Sequence, residues 1–356
     1  MSSWPSLELV LVFVGAAAAI WLAGVQLSGQ TDVLSQRLHL GSALGGLVML
    51  AIATNLPEIA IVVSAAAGHH VEVAVGNILG GIAIQTVVLV VLDVFGVRGE
   101  RPLTYRAASL VLVLEALLVV AVLGVVIAGS QLPPDLIAFR LTPATVLIAV
   151  IWVVGLLLLQ RAGHALPWHE SGEAPDNQEP PRGHSQQRAE QDATKRGVST
   201  ARAAVIFGIA ALVTLGAGVA LEQSGDALSE HIGLSGVLFG ATVLAAATSL
   251  PEVSTGLTSV RAGDYQLAIS DIFGGNAFLP VLFLVATVVS GQAVLPQAQA
   301  TDIYLTALAA LLTLVYAAGL LFRPSRRIAR MGTDSLVVLV LYAVGVAGLV
   351  AIASAS

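Results

Sequence analysis

Two short segments of this chain carry the residues best suited to chemistry, and they are near copies of one another. They read Ala53-Thr54-Asn55-Leu56-Pro57-Glu58 and Ala247-Thr248-Ser249-Leu250-Pro251-Glu252. Each lies within a long apolar stretch and places a glutamate directly after a proline. A carboxylate inside a bilayer costs about 3 kcal/mol or more on insertion scales, so it rarely persists there without a function. The proline removes a backbone hydrogen bond from the same turn and leaves carbonyl oxygens without a donor.

Glu58 and Glu252 together predict a cation site built from hard oxygen ligands. Opposed carboxylates with hydroxyl, amide and carbonyl oxygens nearby suit Ca²⁺, which takes six to eight oxygens at about 2.4 Å. Such a site could also hold Na⁺ or protons, since like charges close together let a proton replace the metal. Because Ser, Thr and Asn also cap the freed backbone groups of a broken helix, the neighbouring polar residues have two competing roles. These neighbours are Thr54, Asn55, Thr248 and Ser249.

Asp271 is a third acid within an apolar stretch and a further candidate ligand. It lies 194 residues after Asn77, the same separation as that between the two glutamates, which makes Asn77 a candidate as well. For Asp271, a role as cation ligand or proton carrier competes with hydrogen bonding to a broken helix. For Glu115, also within an apolar stretch, the sequence leaves open whether it faces the interior or pairs with a neighbour.

The composition identifies an integral membrane protein. Of 356 residues, 56% are hydrophobic and 11% are charged, against roughly 25% charged in soluble domains. The apolar runs far exceed the ~10 residues of a membrane β-strand and do not alternate, so the spans are predicted to be helices. No basic patch indicates a nucleic-acid partner, and the absence of HExxH, P-loop and GxSxG patterns predicts that the chain is not an enzyme and needs no cofactor.

Polar breaks rich in glycine and proline divide the chain into about ten transmembrane helices. Residues 163–200 combine many charges with proline and glutamine and predict a hydrophilic cytoplasmic linker. The linker separates a first five-helix repeat, residues 1–162, from a second, residues 201–356. The predicted spans lie near residues 6–27, 36–66, 71–95, 104–129, 140–161, 201–222, 232–260, 265–290, 302–322 and 334–354.

Positive charge predicts the orientation of these spans. With the central linker inside the cell, every Lys and Arg except Arg140 falls on the inner side. Both termini are then outside, in a plasma or inner membrane that the chain crosses many times. Because each half has an odd number of spans, the second half enters the membrane in the opposite sense. The predicted fold class is an all-α membrane protein of two inverted-topology repeats.

The repeated segments resemble the α-repeats of the calcium/cation antiporter superfamily, which contains the sodium/calcium exchangers. That family carries Gly-Thr-Ser-Leu-Pro-Glu followed by a Gly-Asn…Gly-Ser segment, and here the second segments are 76–81 and 270–275. The resemblance implies that Glu58 and Glu252 are central ligands of Ca²⁺ and Na⁺. It also implies further ligands at the side chains of Thr54, Thr248 and Ser249 and at the carbonyls of Ala51 and Ala245.

Several positions depart from the family pattern. Asn55 replaces a serine, and Gly81 and Gly275 replace serines that help to form sodium sites. Gln85 and Leu279 stand where the family often has Asn or Asp. These departures imply fewer Na⁺ sites than in a sodium/calcium exchanger, with H⁺ as an alternative counter-ion.

The sequence therefore predicts a secondary-active antiporter that exchanges Ca²⁺ for Na⁺ or H⁺ by alternating access. Two long tilted spans are expected to rock against a core of four broken helices. The expected partners are the lipid bilayer and inorganic cations. The alternatives are an antiporter of K⁺ or Mg²⁺, and a membrane sensor or structural subunit that has the same fold without transport.

Overall fold

The computed structural model describes residues 4–37, 51–107, 109–162, 199–233 and 236–355. This part of the chain is mostly helical, which confirms the prediction of a helical membrane protein. The predicted linker 163–200 lies outside it, except for its last two residues. Eight helical stretches within the described part are long and apolar enough to cross a membrane: Ser6–Leu27, Val71–Phe95, Leu110–Ser130, Pro143–Ala162, Thr200–Ile232, Tyr265–Ser290, Ala300–Phe322 and Thr333–Ser354.

The elements follow one another as helices with few interruptions. Before the linker they are α1 (Ser6–Arg37), α2 (Leu56–Ala67), α3 (Val71–Phe95), α4 (Leu103–Arg106), α5 (Leu110–Ser130) and α6 (Pro143–Ala162). After the linker they are α7 (Thr200–Ile232), α8 (Gly236–Phe239), a π-helical turn (Gly240–Leu244), α9 (Ala245–Thr248), α10 (Leu250–Ala262), α11 (Tyr265–Phe278), a 3₁₀ turn (Leu279–Val281), α12 (Leu282–Ser290), a second 3₁₀ turn (Leu295–Gln297), α13 (Ala300–Phe322) and α14 (Thr333–Ala355). A hairpin of two short antiparallel strands, β1 (Arg327–Ile328) and β2 (Met331–Gly332), precedes α14.

The spans that contain the two repeated segments are not continuous helices. A turn at Asn55 separates helical residues 51–54 from α2, and Ser249 separates α9 from α10. A third break follows α11 at Pro280. Proline causes these breaks because it has no N–H to donate to the preceding turn. By contrast α3 contains no proline and runs unbroken for 25 residues, so the prediction of four broken helices is wrong for this one.

Helices α1 and α7 are longer than the hydropathy predicted. They contain 32 and 33 residues, which corresponds to about 50 Å of helix against a hydrocarbon thickness of about 30 Å. The predicted ends near residues 27 and 222 mark where the apolar run stops, whereas the helices themselves extend beyond it, to Arg37 and Ile232. The two helices pack along one another, and α3 lies at the centre of the molecule against both broken spans.

The C-terminal end of α3 is tied to α4, to the hairpin and to α14 through Asp93. The buried carboxylate accepts hydrogen bonds from Leu103 N at 3.0 Å, Gly332 N at 2.6 Å and Ser335 Oγ at 2.8 Å. The guanidinium of Arg327 lies 4.0 Å from Asp93 Oδ1. These contacts hold α3 in a fixed position relative to the hairpin and α14.

Candidate cation site

Each glutamate of the repeated segments lies in the first turn of a helix that begins at a proline break. Pro57 and Pro251 occupy the first turns of α2 and α10, where the missing N–H is one that a helix leaves without a partner anyway. Glu58 and Glu252 follow directly. The positive end of the helix dipole favours a carboxylate at this position. The local sequence thus creates a break and an acid next to it in both halves of the chain.

The polar side chains that precede each proline donate hydrogen bonds to a backbone carbonyl one turn earlier in the chain. Ala51 O accepts from Asn55 Nδ2 at 2.7 Å and from Thr54 Oγ1 at 3.4 Å. The equivalent contacts in the other half belong to Ala245 O, which accepts at 2.8 Å and 3.1 Å from the hydroxyls of the Ser249 and Thr248 side chains. All six candidate residues therefore take part in capping. Capping leaves the lone pairs of the hydroxyl oxygens available, and the buried Asn55 Oδ1 has no partner among the described residues.

Glu58 and Glu252 are both buried, with exposed fractions of 0% and 2%. The side chain of Thr248, from the other half of the chain, lies beside the Glu58 carboxylate, and the charge of Glu58 acts directly on Glu252. Neither carboxylate oxygen of Glu252 has a hydrogen-bond partner in the described part of the chain. A buried charge without a partner is strongly unfavourable, so a cation between the two acids would stabilise this arrangement.

Asp271 lies close enough to Glu252 for its charge to act on that residue, but its hydrogen bond goes to a threonine. Its Oδ2 accepts a hydrogen bond of 2.9 Å from Thr255 Oγ1 of α10, and its charge also acts on Glu252. Asn77 is fully buried, and neither atom of its amide has a partner among the described residues. Its backbone N faces Gly240 of the π-helical turn. The role of Asn77 as a ligand stays a prediction.

Sequence reasoning underestimated the part of Gln85. Its Nε2 lies 3.5 Å from Glu58 Oε1, so the longer amide on α3 reaches the carboxylate. Gly275 leaves room for this contact, because a Cβ there would lie 3.1 Å from Asn55 Nδ2 and 3.4 Å from Gln85 Oε1. The sequence signal for this contact was Gln85 itself, a polar amide four residues after Gly81 within an apolar span. Across the described residues no group of three or more Asp, Glu or His side chains is arranged to hold a metal, so a site here depends on two carboxylates and neutral oxygens.

The sequence matches one family over both halves. Residues 8–161 and 202–351 match the family described as sodium/calcium exchanger protein. The inner membrane protein YrbG of Escherichia coli (strain K12) is 25% identical over 283 residues, which cover 78% of this chain and 78% of that protein. The protein named "Putative antiporter CaxA" of Alkalimonas amylolytica is 26% identical over 309 residues, covering 86% and 88%.

Solved structures of two exchangers have the same fold. The crystal structure of the H⁺/Ca²⁺ exchanger CAX superposes with a TM-score of 0.64 at 13% identity and covers 98% of this chain and 86% of that one. The sodium-calcium exchanger NCX_Mj, soaked with 10 mM Na⁺ and zero Ca²⁺, has a TM-score of 0.59 at 15% identity, with coverages of 96% and 99%. Three of these proteins have names that state an activity, and all three are exchangers or antiporters. This agrees with the prediction that the chain is not an enzyme.

Proposed function

Since this chain belongs to the sodium/calcium exchanger protein family, we propose that it is a secondary-active antiporter that exchanges Ca²⁺ for Na⁺ or H⁺ by alternating access. The observation that carries the proposal is the pair of buried acids. Glu58 and Glu252 come from the two copies of one segment, lie within electrostatic reach of each other, and are shielded from solvent. Burial of both carboxylates is tolerable when a cation neutralises them.

The bound ion is proposed to lie between Glu58 and Glu252, with neutral oxygens completing its shell. Two side-chain amides are best positioned to contribute, those of Asn55 and Gln85. Gln85 contacts Glu58, and both amides lie against Gly275. The remaining proposed ligands are hydroxyls and carbonyls that now cap one another and would turn toward the ion: Thr54, Thr248, Ser249, Ala51 and Ala245.

The proposed topology has ten spans in two inverted repeats of five, with both termini outside and the linker cytoplasmic. The eight helical stretches that are long enough to cross a membrane, together with one span broken at Asn55 and one at Ser249, support that number. The arrangement of positive charge supports the orientation. The inner membrane named for the Escherichia coli relative supports a location in a plasma or inner membrane.

Helices α1 and α7 are proposed to be the moving pair. Gly24 of α1 lies against Pro251 of the second half, and Gly218 of α7 lies against Pro57 of the first half. The two glycines are again 194 residues apart. Each long helix thus contacts the proline break of the opposite repeat, directly beside the acid. Because glycine has no side chain, the helices approach closely at each contact, and no side chain prevents α1 and α7 from sliding past the proline breaks.

Replacing both glycines with alanine is expected to slow exchange by about tenfold while Ca²⁺ binding at equilibrium changes little. The added Cβ atoms would lie 2.7 Å from Pro251 Cβ and 2.8 Å from Ala60 Cβ, and overpacking of about 1.4 kcal/mol in the moving contact corresponds to that factor. Exchange rates in proteoliposomes and equilibrium ⁴⁵Ca²⁺ binding measure the two effects. Gly15→Ala together with Gly216→Ala is the matched control, because a Cβ at either position meets nothing within 4 Å. Equal rates in the two double variants would contradict a sliding role.

The identity of the counter-ion is tested by driving Ca²⁺ uptake into proteoliposomes with either a Na⁺ gradient or a pH gradient. Gly81, Gly275 and Leu279 supply no side-chain oxygen, which favours a small number of Na⁺ sites. Uptake that needs one of the two gradients supports the antiport and names its counter-ion. Absence of Ca²⁺ uptake under both gradients overturns the proposal. Uptake of K⁺ or Mg²⁺ in the same vesicles would then identify the alternative cargo.

A further inference from the structure

Seven arginines gather at one end of the bundle, where two segments of the chain meet. Residues 98–106 follow α3, and residues 323–330 follow α13. Nη2 of Arg323 donates to Tyr105 O at 2.9 Å and Nη1 of Arg327 donates to Gly99 O at 2.7 Å, which joins the two segments. Glu100 is the single acid in their sequence, so positive charge is concentrated on this surface. The arginine patch consists of Arg98, Arg101, Arg106, Arg323, Arg326, Arg327 and Arg330.

Two members of the arginine patch are engaged within the protein. The guanidinium of Arg327 lies 4.0 Å from Asp93 Oδ1. Arg106 donates to two backbone carbonyls, at 3.0 Å and 3.2 Å, and to the hydroxyl of Tyr265 at 3.3 Å. Within the described residues, the ion pair of Arg327 is the only one that an arginine of the patch forms. The other arginines therefore have no carboxylate of the described chain as a counter-charge.

Arg101 and Arg323 lie over the ring of one tyrosine, Tyr105. Their guanidinium carbons are 4.8 Å and 4.6 Å from the ring centroid, so the two carbons are less than about 10 Å apart. The ring attracts both cations but neutralises neither. The guanidinium of Arg101 donates no hydrogen bond to a described residue, and that of Arg323 donates only from Nη2. Because an arginine fork binds a phosphate through two parallel hydrogen bonds, two forks this close can contact one headgroup.

Exposed apolar side chains border the arginine patch. Phe322 is 86% exposed and directly precedes Arg323, and Phe95 at the end of α3 is 63% exposed. Both phenylalanines end helical stretches that are long enough to cross a membrane. The patch thus lies where the hydrocarbon layer meets the headgroups, a depth that aromatic residues favour. An occupant with a phosphate and hydrocarbon chains suits both parts of this surface, whereas a soluble anion contacts the arginines alone.

We propose that Arg101 and Arg323, placed side by side on Tyr105, bind the phosphate of an anionic phospholipid whose acyl chains lie against Phe322. The lipid supplies the negative charge that the described residues around the two guanidinium groups do not. It holds α4 and the end of α13 at the membrane surface. The inference goes beyond the proposed antiport and does not depend on it, because it uses none of the residues of the cation site.

The binding is tested with the full-length protein in an uncharged detergent. Dioleoylphosphatidylglycerol is titrated against dioleoylphosphatidylcholine, which has the same chains, and the unfolding temperature is measured. We expect a saturable rise with the anionic lipid only, because a ligand that binds the folded state stabilises it. The midpoint should increase by at least about tenfold in Arg101→Gln and in Arg323→Gln, since each loses a charge-assisted hydrogen-bonding partner. Arg101 is exposed, so Arg101→Gln keeps the test decisive if Arg323→Gln fails to fold.

Two arginine variants serve as matched controls. Arg326→Gln removes the same charge from an exposed position of the patch, and Arg326 contacts no aromatic ring in the described part of the chain. Its midpoint should increase by no more than about fivefold, the contribution of one basic residue to general attraction by an anionic surface. Arg140→Gln should leave the midpoint unchanged. Arg140 resembles Arg323 in its positive φ (60° against 49°) and in its bond to a carbonyl, that of Val288 at 3.0 Å, but it lies toward the end of the molecule where α13 begins.

Equal midpoints in Arg326→Gln and Arg101→Gln would overturn the proposal, because the attraction would then be spread over the whole surface. Absence of a rise in the wild type would also overturn it. Sodium phosphate, titrated against NaCl at equal ionic strength without anionic lipid, tests a soluble source of the same group. A rise with phosphate that is lost in Arg101→Gln would assign the site to a free anion and reject the lipid. Gradient-driven Ca²⁺ uptake plays no part in this readout, so the lipid site and the antiport can fail separately.

Discussion

Glu252→Gln is expected to reduce Ca²⁺ exchange by about 100-fold or more, since removing one partner of a buried charge pair costs about 3–5 kcal/mol. Glutamine preserves the shape of the side chain but supplies no negative charge. Glu252 is buried, and neither of its carboxylate oxygens has a hydrogen-bond partner among the described residues, so the variant leaves the ion with only one of the two glutamate charges. ⁴⁵Ca²⁺ uptake into proteoliposomes under the effective gradient measures the loss.

Thermal unfolding in detergent distinguishes loss of the site from loss of the fold. Without Ca²⁺, Glu252→Gln should be as stable as the wild type or more so, because it removes one of two repelling buried charges. Ca²⁺ should raise the unfolding temperature of the wild type but not of the variant. A ligand stabilises the folded state only if it binds to it, and the variant is expected not to bind Ca²⁺. Glu58→Gln should behave in the same way, and Glu222→Gln serves as the control. Exchange at the wild-type rate in either site variant would contradict a shared ion.

Gly80→Ala is expected to lower the unfolding temperature in detergent by about 5 °C or more, which corresponds to overpacking of about 2–3 kcal/mol. Gly80 is the position where α3 touches the backbone of the π-helical turn. A Cβ there would overlap Ala241 Cα and lie 2.7 Å from Ala241 O. Because the obstacle is backbone rather than a flexible side chain, the helices themselves must separate.

A matched replacement in another transmembrane helix isolates this steric effect. Gly124 of α5 has nothing within 4 Å of an added Cβ, so Gly124→Ala should leave stability unchanged or raise it slightly through the better helix propensity of alanine. Measuring both variants in one detergent removes the influence of the solvent. Equal unfolding temperatures would show that α3 and the turn can move apart freely. In that case the glycine would not be needed for close packing.

The membrane constraint made much of this fold predictable from the sequence. In lipid every backbone group must find its hydrogen bond within the segment, so a long apolar run predicts a helix from local information alone. Eight of the predicted spans accordingly correspond to described helices. The ends of α1 and α7 were missed because hydropathy registers the lipid boundary, whereas the helix continues beyond it.

By itself, the sequence determined the chemical class of the candidate site. Glutamate next to proline in two copies is a local pattern, and its cost in a bilayer predicts a function for it wherever the helices lie. The reach of Gln85 to Glu58, the contact of Ser270 with Glu115, and the crossed contacts of Gly24 and Gly218 were decided only by the tertiary structure. These contacts join residues 27 to 227 positions apart. They depend on how each helix is rotated about its axis, and a helix that is apolar on all sides carries little signal of that rotation in its sequence.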